Sequence, residues 1–355
     1  MTAAHPPPTP AAACPMHGGV APLSPVRTAP HARKSLPMRV GSRASPLALV
    51  QTRAFLAQIA HFCPVLRSPF DSDNTPIFVE HAIRTTGDAV QNRRLAEIGG
   101  KGLFAKEIHE ALIDGRIDMA VHSLKDLETV LPEGIVLACT LTREDARDAL
   151  ILPRDAPVPD QDDPWGSLPD GALIGTSSVR RQAQLLHRRP DLRVGLIRGN
   201  VQTRLDRVAA GDFGATLLAL AGLRRLGLDA QASLVLHPEV MVPAAGQGIV
   251  GVTVRETDME LRALLAGIED PVARAVSTAE RAMLAHLDGS CHTPIGGHAR
   301  ILADGRLRLT GLTASEDGVF LLKRTLEGPP ADAARLGAEL GESLRADSPA
   351  SLFVP

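Results

Sequence analysis

Ile117-Asp118-Met119-Ala120-Val121-His122-Ser123-Leu124-Lys125-Asp126 is the stretch whose reading decides the fold class. The apolar run is too short for a helix of its own and follows a helical pattern over residues 103–113, so it reads as a buried parallel strand entered from that helix. Its polar residues then fall at the strand's C-terminal end. In open α/β sheets that end faces the ligand crevice, which puts His122, Ser123, Lys125 and Asp126 where chemistry is usually found. Taken alone, the decapeptide favours a plainer reading, an ordinary strand-to-loop exit with solvated charges.

Working outward, the same strand-then-helix rhythm recurs. Met38 to Arg43 is a short strand, and Ser45 followed by Pro46 is the N-cap and first position of a helix running to about Ala60. Ile77 to Ile83 is the next strand, leaving through Arg84-Thr85-Thr86-Gly87-Asp88. Residues 89–100 carry little periodicity and end in Gly99-Gly100-Lys101-Gly102, a mobile loop by composition. It lacks the GxxxxGK[ST] spacing of a phosphate-binding loop. Strands are expected over Ile135 to Leu141 and Ala149 to Leu152. Pro153 to Gly171, with the only tryptophan, Trp165, reads as a connection between domains.

The rhythm restarts at Ala172 to Gly175. Thr176-Ser177-Ser178 offers N-caps to a helix from Val179 to His187, with Arg180 and Arg181 in its first turn. Cations there cost on the order of 0.3–1 kcal/mol each unless an anion lies between them. Leu192 to Ile197 is followed by Arg198-Gly199-Asn200 and a helix carrying Arg204 in its first turn. Ala215 to Leu220, apolar but for Thr216, precedes Arg224 and Arg225 at the opening of a short helical piece. One such arginine is usually a solvated accident, whereas successive junctions carrying them make an electropositive crevice suited to carboxylates. Pro243 to Gly248 is a turn-rich crossing, read either as a hinge or as close packing, before the strand Ile249 to Val254 and the helix Met259 to Ala266. Pro271 opens a helix to about Leu287. Cys291 then stands in a polar, glycine-flanked loop, followed by hairpins at Asp304-Gly305 and Asp317-Gly318 and a helix over Ala331 to Arg345, together a small α+β unit.

Composition narrows the function classes. The 355 residues exceed one compact core. A formal net charge of −2, 3% aromatics and no tyrosine argue against a general nucleic-acid binder. No apolar run of membrane-spanning length occurs. The four cysteines, Cys14, Cys63, Cys139 and Cys291, lack metal or disulfide spacing and fit reduced thiols of a cytosolic protein, with Cys63 and Cys139 in apolar surroundings. No metal is expected, the Cys14-Pro-Met-His17 pair included. Residues 1–37, rich in Pro, Ala and His and free of acids, read as a disordered tail or an over-extended start in preference to a transit segment.

The motifs Gly41-Ser-Arg-Ala-Ser-Pro-Leu-Ala-Leu49, Gly99-Gly-Lys-Gly-Leu-Phe104, Ala120-Val-His-Ser-Leu-Lys-Asp126, Gly175-Thr-Ser-Ser-Val-Arg-Arg181, Leu196-Ile-Arg-Gly-Asn200 and Pro294-Ile-Gly-Gly297 occur together and in order. From Met38 to the C-terminal helix the chain closely resembles the porphobilinogen deaminases (hydroxymethylbilane synthases). The resemblance implies an α/β fold: two similar doubly wound domains of type 2 periplasmic-binding-protein-like architecture plus a small α+β C-terminal domain. The corresponding division is 38–141 with 249–267, then 142–248, then 271–355.

It further implies a monomeric cytoplasmic transferase of tetrapyrrole (haem) biosynthesis that adds four porphobilinogens head to tail, with loss of ammonia, to a dipyrromethane cofactor and releases hydroxymethylbilane. One cofactor per chain is held by a thioether to Cys291, and neither nucleic acid nor membrane is a partner. Asp126 matches the family's catalytic carboxylate. The cofactor binders matched are Cys291, Lys125, Asp126, Ser178, Arg180, Arg181, Arg198, Arg204, Ser45 and Lys101. The substrate binders matched are Arg43, Ser45, Phe104, Arg198, Arg204 and Arg225. A fixed carboxylate suits the cation left when ammonia departs, and the ring's acetate and propionate need cationic partners. Glu97 departs from members that carry lysine there. A non-catalytic binder of a small polycarboxylate would explain the arginines equally well but leaves Asp126 and the Cys291 loop without a task.

Overall fold

The computed structural model describes residues 36–63, 66, 76–89, 102–287 and 293–353. Cys14, Glu97, Gly99, Gly100, Lys101 and Cys291, and with them the tail, the loop over residues 90–101 and the cofactor-attachment call, lie outside the described residues.

Two five-stranded sheets share one strand order. In the first, β1 (Met38–Arg43), β2 (Phe78–Ile83), β3 (Met119–Ser123), β4 (Ile135–Thr140) and β10 (Val250–Arg255) are arranged β2-β1-β3-β10-β4. β1 is parallel to β2 and β3, and β10 is antiparallel to both β3 and β4. The second sheet is β7-β6-β8-β5-β9, built from β5 (Asp148–Ile151), β6 (Leu173–Gly175), β7 (Arg193–Gly195), β8 (Ala215–Ala219) and β9 (Leu234–Val235). Here β6 is parallel to its neighbours and β5 antiparallel to β8 and β9. Each sheet therefore takes an antiparallel fourth strand next to a chain crossing: β5 just after the outward crossing, β10 just after the return. This is the doubly wound, type 2 periplasmic-binding-protein-like architecture.

Local chemistry explains the elements. Ser45 caps α1 (Pro46–Phe62), its hydroxyl accepting from Ala48 N at 3.3 Å while Pro46 occupies the first turn. Phe55 and Ile59 of α1 and Leu261 and Leu265 of α7 (Met259–Ala266) bury against one face of the first sheet. Ile108, Ala111 and Leu112 of α3 (Lys106–Ile113), which follows the single-turn α2 (Thr86–Ala89), cover the other. Each fully buried Leu, Ile or Phe contributes roughly 1.5–3 kcal/mol. In the second sheet, α4 (Val179–Arg188) covers one face through Leu185. The opposite face is covered by α5 (Val201–Ala209) and α6 (Leu220–Arg225), through Leu205, Leu220 and Leu223. A third, three-stranded antiparallel sheet, β11 (Ile295–Ile301), β12 (Leu307–Ala314) and β13 (Leu321–Gly328), packs on α8 (Pro271–His286) and α9 (Ala333–Ala346).

Several expectations are corrected. Residues 153–171 do not join two domains: they connect β5 to β6 of one sheet and bury Trp165 and Leu168 in its core with Leu150 and Ile174. His122 does not face the crevice. It is 7% exposed, its Nε2 is 2.9 Å from Thr253 Oγ1 on β10, and burial pushes its pKa down to about 3. Arg224 and Arg225 fall in the last turn of α6, because the helix begins at Leu220, where their charge suits the helix dipole. Ser178 holds the N-cap position of α4 without a side-chain cap bond; its backbone N–H donates to Thr176 Oγ1 instead.

One side chain ties the three sheets together. Glu280 on α8 is fully buried and accepts from Arg143 Nη1 at 2.7 Å on the outward crossing, from Gly246 N at 2.6 Å on the return crossing and from Ala299 N at 2.6 Å on β11. A buried carboxylate satisfied in this way is stable because each acceptor position has a donor. The turn after β12 also grips α4: Gly318 O lies 2.8 Å from His187 Nδ1, and Gln182 Nε2 donates to Glu316 O at 3.1 Å.

Candidate active site

β3 delivers Lys125 and Asp126 on a single 3-10 turn, Leu124–Asp126, and β1 delivers Arg43 beside them. Arg43 Nη1 donates to Asp126 Oδ2 at 3.2 Å. Its Nη2 and Nε donate to the Asp88 carboxylate at 2.5 and 3.3 Å, and its guanidinium lies 4.1 Å from the Phe104 ring centre. Burial works against the Arg43 charge, but the two carboxylates outweigh it and raise its pKa. Burial likewise opposes the Asp88 charge, and Arg43 overcomes it, holding that carboxyl below its ordinary range. The Asp126 side chain keeps 28% of its surface exposed, so it is accessible to a ligand.

From the facing sheet come four arginines: Arg180 and Arg181 on α4, Arg198 on the segment between β7 and α5, and Arg204 on α5. Arg180 and Arg181 are both buried and both bound to Asp148, through Arg180 Nη1 at 2.8 Å and Arg181 Nη2 at 2.7 Å. The anion that two cations in a helix's first turn require is thus supplied by β5. Asp148 is fully buried; burial opposes its charge, and Arg180 and Arg181 reverse the effect and hold its pKa far below the carboxylate range. Burial lowers the pKa of Arg180 despite Asp148, and brings that of Arg204 down to about 10, with Arg181 and Arg198 adding repulsion. Arg198 Nη2 donates to Gly87 O at 3.0 Å, reaching across to the first sheet, and Arg204 Nε donates to Gly199 O at 3.1 Å. Arg181 Nε is buried without a hydrogen-bond partner.

Lys125 lies between the two groups of charges. Its Nζ donates to Gln247 Oε1 at 3.2 Å. Although part of the side chain stays exposed, burial of the ammonium pushes its pKa down to about 8, against the attraction of Asp126.

The structure therefore brings Arg43, Phe104, Lys125, Asp126, Arg180, Arg181, Arg198 and Arg204 into one electrostatic cluster. Ser45 caps α1 at its edge. Arg225 is not brought in: its Nη2 donates to Gly248 O at 2.7 Å and the charge it senses is Glu144. Sequence reasoning missed Asp88, Asp148 and Gln247. Asp88 and Gln247 lay inside polar or glycine-rich stretches, and Asp148 at the head of an apolar strand carried no signal.

Comparison with known proteins decides the family of the chain. The family profile "Porphobilinogen deaminase, dipyromethane cofactor binding domain" matches residues 38–263. The chain belongs to the porphobilinogen deaminase family. The profile of the porphobilinogen deaminase C-terminal domain matches residues 275–346. Porphobilinogen deaminase of Nitrobacter hamburgensis is 47% identical over 86% of this chain and 92% of its own. That of Paracoccus denitrificans is 45% identical over 89% and 96%. The chloroplastic enzyme of Pisum sativum is 43% identical over 88% and 82%. A solved Bordetella pertussis BvgS VFT2 domain is 14% identical over 69% of this chain and 89% of that one, at a TM-score of 0.38, too slight a likeness to bear on function. All eight residues of the electrostatic cluster fall inside the cofactor-binding-domain match of this deaminase family member.

Proposed function

We propose that the chain is a hydroxymethylbilane synthase: it joins four porphobilinogens head to tail, releasing ammonia at each addition, on a dipyrromethane attached to Cys291, and water then frees hydroxymethylbilane. The single observation that carries this reading is the partly exposed Asp126 carboxylate, 3.2 Å from Arg43 Nη1, in one electrostatic cluster with the guanidinium groups of Arg181, Arg198 and Arg204.

The donor set fits a ligand bearing several carboxylates. Among the described residues, Arg43 pairs with Asp88 and Asp126, and Arg180 and Arg181 share Asp148, while the buried Arg181 Nε has its hydrogen to give. Lys125, Arg181 and Arg204 would hold the acetate and propionate groups of the dipyrromethane, each charge-assisted bond contributing about 1.5–3 kcal/mol. When bound, that group supplies the nucleophilic pyrrole carbon at the growing end. Arg43, stacked on Phe104, orients the incoming substrate's carboxylate by exchanging Asp88 for it. Asp126 is placed to stabilise the positive charge that develops on the substrate as ammonia leaves, an interaction stronger in the transition state than in the ground state. It is also placed to take up the proton displaced from the pyrrole ring.

The reading includes a monomer working in the cytoplasm, in keeping with the unspaced cysteines; burial holds the Cys139 thiol up at about 12, where it is inert. Intact-mass measurement of the purified chain tests the proposal. A mass above that of the polypeptide by a dipyrrole, lost in Cys291→Ala, is expected. Asp126→Ala should keep the adduct and lose nearly all turnover. A bare polypeptide mass that persists after incubation with porphobilinogen would refute the assignment.

A further inference from the structure

The amide of Gln247 lies where both sheets and both crossings meet. It is 1% exposed, and its Nε2 donates to Ala146 O at 2.7 Å and to Asp148 Oδ1 at 2.8 Å. Its backbone oxygen accepts from Arg143 Nε at 2.8 Å, and its own N–H donates to Ala244 O at 3.0 Å. Neither end of the side chain is free to turn. Rotating the amide would set an oxygen against a carbonyl and a carboxylate, and an NH2 against an ammonium, three repulsions at a buried position. The carbonyl oxygen therefore points permanently at Lys125 Nζ.

We propose that Gln247 is a positioning residue, a buried amide that aims the Lys125 ammonium of the first sheet by bracing it against Asp148, the counter-ion of Arg180 and Arg181 in the second. The inference deepens the reading above, since Lys125 is taken there as a carboxylate binder. It gives one neutral side chain the task of keeping the two cationic walls of the crevice in register. A neutral bridge is what the site requires: a carboxylate there would oppose Asp148, and an apolar group would leave Lys125 without its acceptor.

The charges facing Lys125 are Asp126 on its own turn, Asp148 from β5, and Arg180 and Arg181 from α4. Gln247 Oε1 favours the protonated amine without adding charge, so its removal has a signed effect. With the acceptor gone, burial pushes the Lys125 pKa further below about 8.

The test is competitive labelling of the intact holoenzyme with trace acetic anhydride across a pH series. Peptide mass spectrometry then gives the titration midpoint of Lys125. In Gln247→Met, close in size and apolar, the midpoint is expected to fall by about one pH unit, a tenfold smaller charged fraction above it. The alkaline limb of kcat/KM should move with it. Gln247→Asn keeps an amide that is one methylene too short to span both partners. It is expected to shift in the same direction, and it decides the matter if the Met variant does not fold. An unchanged midpoint in a folded variant overturns the proposal, because a residue that served only packing would not alter it. The wild-type intact mass, read on the same samples, separates the two ideas: a missing dipyrrole refutes the function, and a present dipyrrole with an unmoved Lys125 refutes the role of Gln247.

Discussion

Replacing Asp148 by Asn tests whether the arginines at the start of α4 are held by the fold or only by a ligand. Asp148 has no exposed surface and accepts three hydrogen bonds, from Arg180 Nη1, Arg181 Nη2 and Gln247 Nε2. Asn keeps the shape but puts an NH2 where one of these donors points and removes the carboxylate bound to two buried guanidiniums. Breaking a buried ion pair by removing one partner costs about 3–5 kcal/mol, a large share of the roughly 5–15 kcal/mol that holds a protein folded. At roughly 2–4 °C per kcal/mol for a chain of this order of size, the melting temperature should fall by about 6–20 °C.

Thermal melts followed by circular dichroism, with urea titrations to check that the slope is unchanged, give the number. The pH dependence gives an independent sign. Because the folded pKa of Asp148 is depressed, its contribution is complete above the unfolded carboxylate value of about 3.9 and is lost only as pH falls through the folded one. The gap between wild type and variant should therefore persist at about pH 5. A loss of less than about 2 °C, or a gap already closed at that pH, would refute the claim that Asp148 holds Arg180 and Arg181.

Three further outcomes follow from the geometry. Arg143→Met leaves Glu280 buried without its cation and should cost about 3–5 kcal/mol; hydrogen exchange at Gly246 and Ala299, whose N–H groups bond Glu280, should quicken, and unchanged exchange there would dissociate the crossings from α8. His122 is held neutral down to about 3, so between that value and an unfolded value of about 6.5 the unfolded chain binds the extra proton. Stability should fall as pH drops through that window by about 1.4 kcal/mol per pH unit from this group, a slope that His122→Asn should remove. Gly318→Ala places a methyl 2.4 Å from His187 N and 2.7 Å from Leu186 C at a φ of +75°, where the neighbours are backbone and have nowhere to move. The hairpin should lift from α4, measurable as faster exchange around Leu186 and a lower melting temperature, and a wild-type melt would show the contact to be dispensable.

What could be read from the sequence was whatever local chemistry encodes. Ser45 and Pro46 announce α1, and Pro271 announces α8, because a cap side chain or a fixed φ acts within one turn. The apolar β8 and the polar exit of β3 were equally plain. The antiparallel insertions of β5 and β10 were not, since nothing within five residues distinguishes an antiparallel strand buried in mid-sheet from a parallel one. The physics of cations at a helix start was read correctly, yet the partner was invisible: Asp148 precedes Arg180 by 32 positions. Glu280 failed for a related reason, a glutamate in a helix being solvated far more often than not. Arg225 was misplaced by a single turn, because an apolar strand running straight into Leu220 hides where the helix begins.

The placement of β10 has a consequence for synthesis on the ribosome. The second sheet is assembled entirely from residues between Asp148 and Val235, an uninterrupted length of nascent chain, whereas β3 and β4 meet only through a strand that starts at Val250. The earlier-made half must therefore wait for the later-made half to emerge and close. Throughout that interval the edge of Met119-Ala120-Val121 has no ladder partner on one side and is open to pairing with a neighbouring chain on the same polysome.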